Sequence, residues 1–111
     1  MVTKLKSVPE GNGTMFDNTT IIYFPETGAG HHGPDTEAPM VIMTGDNSKL
    51  DIAGRYIRLP FHATEGHKTL SNWYPTLLNA YGNPIEHYGD LDLKMQRNRL
   101  PQTGAIDRFL V

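Results

Sequence analysis

The chain contains no cysteine, so neither a disulfide framework nor a thiolate metal site can form. Any metal would have to be held by histidine, carboxylate or hydroxyl oxygen. Basic residues are not in excess either: 10 Lys and Arg stand against 12 Asp and Glu, for a net charge of -2. Strong phosphate-backbone binding needs a positive field that this balance does not supply, and nucleic acid is not an expected partner. No stretch approaches the ~18 consecutive apolar residues of a membrane span, and Met1 to Pro9 lacks the apolar run of a signal peptide. No membrane partner is expected, and the residues leave the compartment unknown. Also missing are a phosphate-cradling glycine loop ending in Lys-Ser/Thr, a Gly-x-Ser-x-Gly elbow and a His-Glu-x-x-His pair, while Ser7, Ser48 and Ser71 have no visible base. No catalytic residue is assigned, and no organic cofactor is implied.

What is present fits one core, because a chain of 111 residues cannot fill two independent interiors. Residues 1–111 are expected to be a single domain or domain fragment: 1–18 a lead-in loop, 19–92 an α/β core, 93–111 a C-terminal tail. Thr19-Thr20-Ile21-Ile22-Tyr23-Phe24 is β-branched and aromatic without polar alternation, the pattern of a strand covered on both faces in a parallel sheet. Pro39 to Thr44 is a second short apolar run, bounded by Gly45-Asp46-Asn47. Arg55 to Pro60 alternates polar and apolar, which predicts a half-exposed edge strand, and Ile106 to Val111 could form a last one. The spacing of Leu70, Trp73, Tyr74, Leu77, Leu78 and Tyr81 predicts a helix over about 69–81, stopped by Gly82 and interrupted or bent at Pro75, with its aromatic residues in the core. Leu91 to Thr103 reads as loop or a marginal helix.

Chemistry concentrates in Glu26-Thr27-Gly28-Ala29-Gly30-His31-His32-Gly33-Pro34-Asp35, where carboxylates and two imidazoles share a flexible loop at a strand end. Ligands sit at such strand ends in open α/β sheets, and zinc accepts both donor types. His67, just ahead of the helix, could add a ligand. The same loop can exist without metal, since its glycines need none. His62 and His87 have no such neighbours in sequence and read as ordinary loop residues, and Asp46 and Asp51 as turn formers.

The order of these pieces resembles the C-terminal part of the alkaline phosphatase and sulfatase superfamily. There, a strand ending in an acidic residue precedes a second strand and a helix written roughly Asp-x-x-Pro-Thr-Leu-Leu-x-x-x-Gly; Tyr74-Pro75-Thr76-Leu77-Leu78 and Gly82 stand at those places. Within the superfamily the chain is most similar to a group of uncharacterised bacterial proteins of unknown function, through Pro9-Glu10-Gly11-Asn12-Gly13-Thr14-Met15-Phe16-Asp17-Asn18-Thr19. The likeness runs from about Leu5 to Asp92. It implies a partial alkaline-phosphatase-like sheet with a few short strands and one clear helix. It also implies a divalent-metal site, zinc first, with Glu26 as the strand-end acidic ligand, His31 or His32 as the loop histidine, and His67 as the histidine before the helix.

The superfamily's nucleophile and several of its ligands precede the first strand found here and have no counterpart in this chain. A C-terminal fragment or shortened relative is therefore expected, not active alone; any activity would be metal-dependent hydrolysis of phosphate or sulfate esters. The alternative is a non-catalytic binding or assembly module of the same fold. A partial sheet leaves an apolar face and an open edge, so a homo-oligomer or a partner chain covering it is expected. Proteins of the resembled group are often exported.

Overall fold

Residues 1–25 and 36–111 are described by the computed structural model of the chain. Short helices and antiparallel strand pairs build it, so the fold is α/β in the broad sense. These elements gather into two units, Met1–Ala53 and Gly54–Val111.

In the first unit the lead-in is more structured than its loop-like composition suggests. Helix α1 (Val2–Lys6) is followed by a minimal hairpin, β1 (Pro9–Glu10) with β2 (Gly13–Thr14), and by a 3-10 turn over Met15–Asn18. Asp17 locks that turn by accepting from the Thr14 N–H at 2.6 Å, while Lys6 lies over the Phe16 ring, 5.2 Å from its centre. Asparagine side chains then tie distant segments together. Asn47 donates to Asn18 Oδ1 at 2.8 Å and Asn18 donates to Glu10 at 2.6 Å.

The two apolar runs are strands, β3 (Thr20–Tyr23) and β4 (Val41–Thr44), paired from Thr20 opposite Thr44 to Tyr23 opposite Val41. They run antiparallel, which corrects the parallel neighbours that the unbroken apolar pattern predicts. Burial gives the reason: Tyr23 and Val41 are exposed and the rest of the ladder is half-buried, so the pair is not covered on both faces. Beyond β4, Gly45 is buried and donates its N–H to the Thr19 carbonyl at 3.0 Å. A side chain there has no room, since an added Cβ would stand 1.9 Å from the Phe16 carbonyl oxygen. Leu50 and Ile52 are the buried apolar side chains of this unit among the described residues.

The second unit is organised by α2 (Leu70–Ala80). Its buried face includes Trp73, Pro75 and Thr76, whereas Leu70 and Tyr81 are exposed, so the aromatic stripe is only partly core. Pro75 lies inside the helix, which runs through it from Leu70 rather than starting near Tyr74. Side chains of the buried face hydrogen-bond within the helix and to the segment 103–106. Thr76 Oγ1 donates to the Asn72 carbonyl and accepts from the Ile106 N–H, each at 2.7 Å. Asn72, with no exposed surface, accepts from the Thr69 N–H at 3.1 Å and donates to the carbonyls of Thr103 and Gly104, both at 3.1 Å.

The end of α2 is a Schellman turn: Gly82 has φ 77°, its N–H donates to Asn79, and the Asn83 N–H donates to Leu78. A five-residue helix, α3 (Leu93–Arg97), ends the same way, with Arg99 at φ 55° and the Leu100 N–H donating to Met95. Met95 is completely buried, and Trp73, Ile106 and Phe109 are buried with it as apolar core side chains of this unit. No strand forms over Arg55 to Pro60, and a 3-10 turn, Asp107–Phe109, occupies the place of the expected last strand. Alternation alone does not make a strand, which also needs a paired neighbour along its length.

Candidate functional site

Between Pro60 and α2 the chain folds back on itself. The Thr64 N–H donates to the Phe61 carbonyl and the His67 N–H to the Thr64 carbonyl, both at 3.1 Å, with Ala63 at φ 60° and Gly66 at φ 81°. Asn98 Nδ2, just past α3, fixes this reversal by donating to the Ala63 carbonyl at 2.9 Å. The result brings His62 and His67 together, ring centres 5.5 Å apart and planes at 77°.

Each imidazole is held by one nitrogen. His67 Nδ1 lies 2.7 Å from the Pro60 carbonyl oxygen, and since a carbonyl only accepts, Nδ1 donates and in the neutral ring Nε2 keeps the lone pair. His62 Nε2 lies 2.9 Å from Asp92 Oδ2, with the imidazole 17% exposed. In the neutral ring the carboxylate selects the Nε2–H tautomer and leaves the lone pair on Nδ1. Neither His62 Nδ1 nor His67 Nε2 has a hydrogen-bond partner among the described residues.

Asp92 is itself fixed from three directions. As the N-cap of α3 it accepts from the Met95 N–H at 2.8 Å through Oδ1. Its backbone is clasped by the buried Gln102, whose Oε1 accepts from the Asp92 N–H at 2.8 Å and whose Nε2 donates to the Asp92 carbonyl at 3.0 Å. Its second oxygen meets His62. The Asp92 carboxyl is held below the usual carboxylate range, above all by the Met95 N–H; burial pushes it the other way, and the hydrogen bond and charge of His62 add to the lowering.

A folded carboxyl that titrates below its unfolded value contributes stability in full above that unfolded value, about 3.9, and loses it as pH falls through the lower folded value. In an acid titration followed by NMR, the Met95 amide, whose hydrogen bond reports the cap, should therefore move with a midpoint below about 3.9. A midpoint at or above that value would show that the cap does not stabilise the charged form.

Of the ligands expected from sequence, Glu26, His31 and His32 lie outside the described residues. His67 is where the reversal places it, beside His62 and anchored on Pro60. Among the described residues no group of three or more His, Asp or Glu side chains converges as a complete metal cage. His87, exposed, contacts the Gly89 carbonyl two residues on, a local loop interaction. His62 departs from its reading as an isolated loop residue: it sits 30 positions from the carboxylate it meets, a separation that no local spacing reveals. The one signal in the sequence was Asp92 itself, an N-cap residue type directly before Leu93 to Arg97. Among the described residues no helix is long and apolar enough to cross a membrane. No protein-family model, no curated protein and no solved structure matches this chain.

Proposed function

We propose that the chain is a C-terminal piece or shortened relative of an alkaline-phosphatase-like metallohydrolase, keeping part of a divalent-metal site without the nucleophile. The observation that carries this reading is the anchoring of His67: its Nδ1–H is committed to the Pro60 carbonyl, which in the neutral ring leaves the Nε2 lone pair as the donor. That is the state in which an imidazole accepts zinc. Glu26 and His31 or His32 are the further ligands in this proposal, and its finer fold is part of an alkaline-phosphatase-like sheet. A bound zinc would polarise a phosphoryl or sulfuryl oxygen. The chain's own contribution is to hold the His67 ring and its proton in place. Without a nucleophile, turnover of phosphate or sulfate esters is expected to stay at background.

A second reading, a non-catalytic assembly module, draws on a different observation. Tyr23 and Val41, partners in the β3–β4 ladder, are 70% and 58% exposed, with Phe24 beside them at 44%. Such a strand end favours a second copy or a partner chain as its cover.

Elemental analysis of the purified protein, run beside Glu26→Ala and His67→Ala and paired with sedimentation, tests the first reading against the second. About one metal ion per chain, lost in both variants, is the expected result. A metal-free chain that sediments as a dimer would replace the hydrolase relative with the assembly module.

A further inference from the structure

We propose that His62 Nδ1 and His67 Nε2 form a two-imidazole binding site for a borderline transition-metal ion such as zinc. The site shares His67 with the reading above but does not rest on it, since neither Glu26 nor the loop histidines take part.

Three features of the pair point to a ligand. The first is separation: with a Zn–N bond of about 2.1 Å and tetrahedral angles, two imidazoles on one zinc place their ring centres roughly 5 Å apart. The observed 5.5 Å is close to that separation, and rings inclined at 77° are not stacked face to face. Protonation is the second. In their neutral forms, the ones that bind metal, His67 donates its N–H to the Pro60 carbonyl and His62 donates its own to Asp92, so the opposite nitrogen of each ring bears a lone pair.

The third feature is support from behind. A metal-bound histidine ordinarily donates its other ring N–H to a carboxylate or a backbone carbonyl, and here one imidazole has each kind of acceptor. Asp92 cannot drift away from His62, because α3 and Gln102 both hold it. Two protein donors leave the remaining coordination positions for water or for an anionic oxygen of a small ligand.

The test uses the full chain and zinc chloride as the probe, followed by calorimetric titration and by long-range 1H–15N spectra of the histidine rings. One zinc per chain is expected, with metal-induced shifts at Nδ1 of His62 and at Nε2 of His67. Measured with added zinc in the Glu26→Ala background, where the metal of the reading above is absent, His62→Gln and His67→Gln should each weaken binding by more than tenfold, while the His31→Ala/His32→Ala pair leaves it unchanged. Asp92→Asn keeps a good N-cap for α3 but removes the charge facing His62, and should weaken binding about 10- to 100-fold. Thermal melts of each variant establish that the fold is retained. Binding that is lost in Glu26→Ala yet indifferent to His62→Gln would overturn the pair in favour of the loop ligands. No saturable binding, or shifts at the other nitrogen of either ring, would overturn it as well.

Discussion

Gly45→Ala is expected to unfold the Met1–Ala53 unit, with a loss of roughly 3 kcal/mol or more against a stability on the order of 5 kcal/mol for a unit of this size. The reason is steric and not conformational. An alanine Cβ would meet the Phe16 carbonyl oxygen at 1.9 Å and the Asp17 carbonyl carbon and Cα at 2.6 Å, all of them backbone atoms that no rotamer change can move aside. Relief requires separating the end of β4 from the 3-10 turn, which would break the Gly45 N–H bond to Thr19 and the Asn47 N–H bond to Asp17. Gly11 is the control: it has φ 57° but nothing within 4 Å of the place a methyl group would take, so Gly11→Ala should cost only the left-handed backbone term, about 1 kcal/mol. Circular-dichroism melts of both variants decide the matter, because similar losses would show that the close approach at Gly45 is not what holds the unit together.

The second large effect is expected at Asn72. Leucine has nearly the same volume, but it strands the Thr69 N–H and the Thr103 and Gly104 carbonyls at a position with no exposed surface. Water can reach exposed Thr103 more readily than the half-buried Thr69 and Gly104. Counting chiefly the latter two, Asn72→Leu should cost roughly 2–4 kcal/mol. Asn72→Asp should be worse at neutral pH, since it aims a charged oxygen at two carbonyl oxygens. Burial there would raise the folded carboxyl's pKa, so the penalty of the aspartate variant should shrink on acidification while that of the leucine variant does not. Denaturant melts at two pH values give both comparisons. A leucine variant within about 0.5 kcal/mol of the parent would mean that these three hydrogen bonds contribute nothing net.

How far sequence could anticipate these features depends on the range of the interaction. Helix α2 was legible because its signals are local: apolar residues every three or four positions and Gly82 after it. The stop of α3 was not, because Arg99 adopts the left-handed geometry that sequence reading looks for in glycine. For β3 and β4 the positions were readable but the sense of pairing was not, since an apolar run records burial and not direction. His67 could be picked out by its place ahead of the helix. The meeting of His62 with Asp92 and the clasp of Gln102 on Asp92 join residues 30 and 10 positions apart, and composition and spacing say nothing about such partners.

That clasp bears on how the unit comes apart. By pairing with one peptide group in both directions, Gln102 closes residues 92–102 into a loop, the office that a covalent bridge performs in chains possessing cysteine. A covalent bridge persists in the unfolded chain and restricts it; an amide clasp vanishes together with the packing that shields it. The loop entropy is therefore released in the same step as the core, so this segment should disassemble with the rest of its unit and leave no residual ring behind.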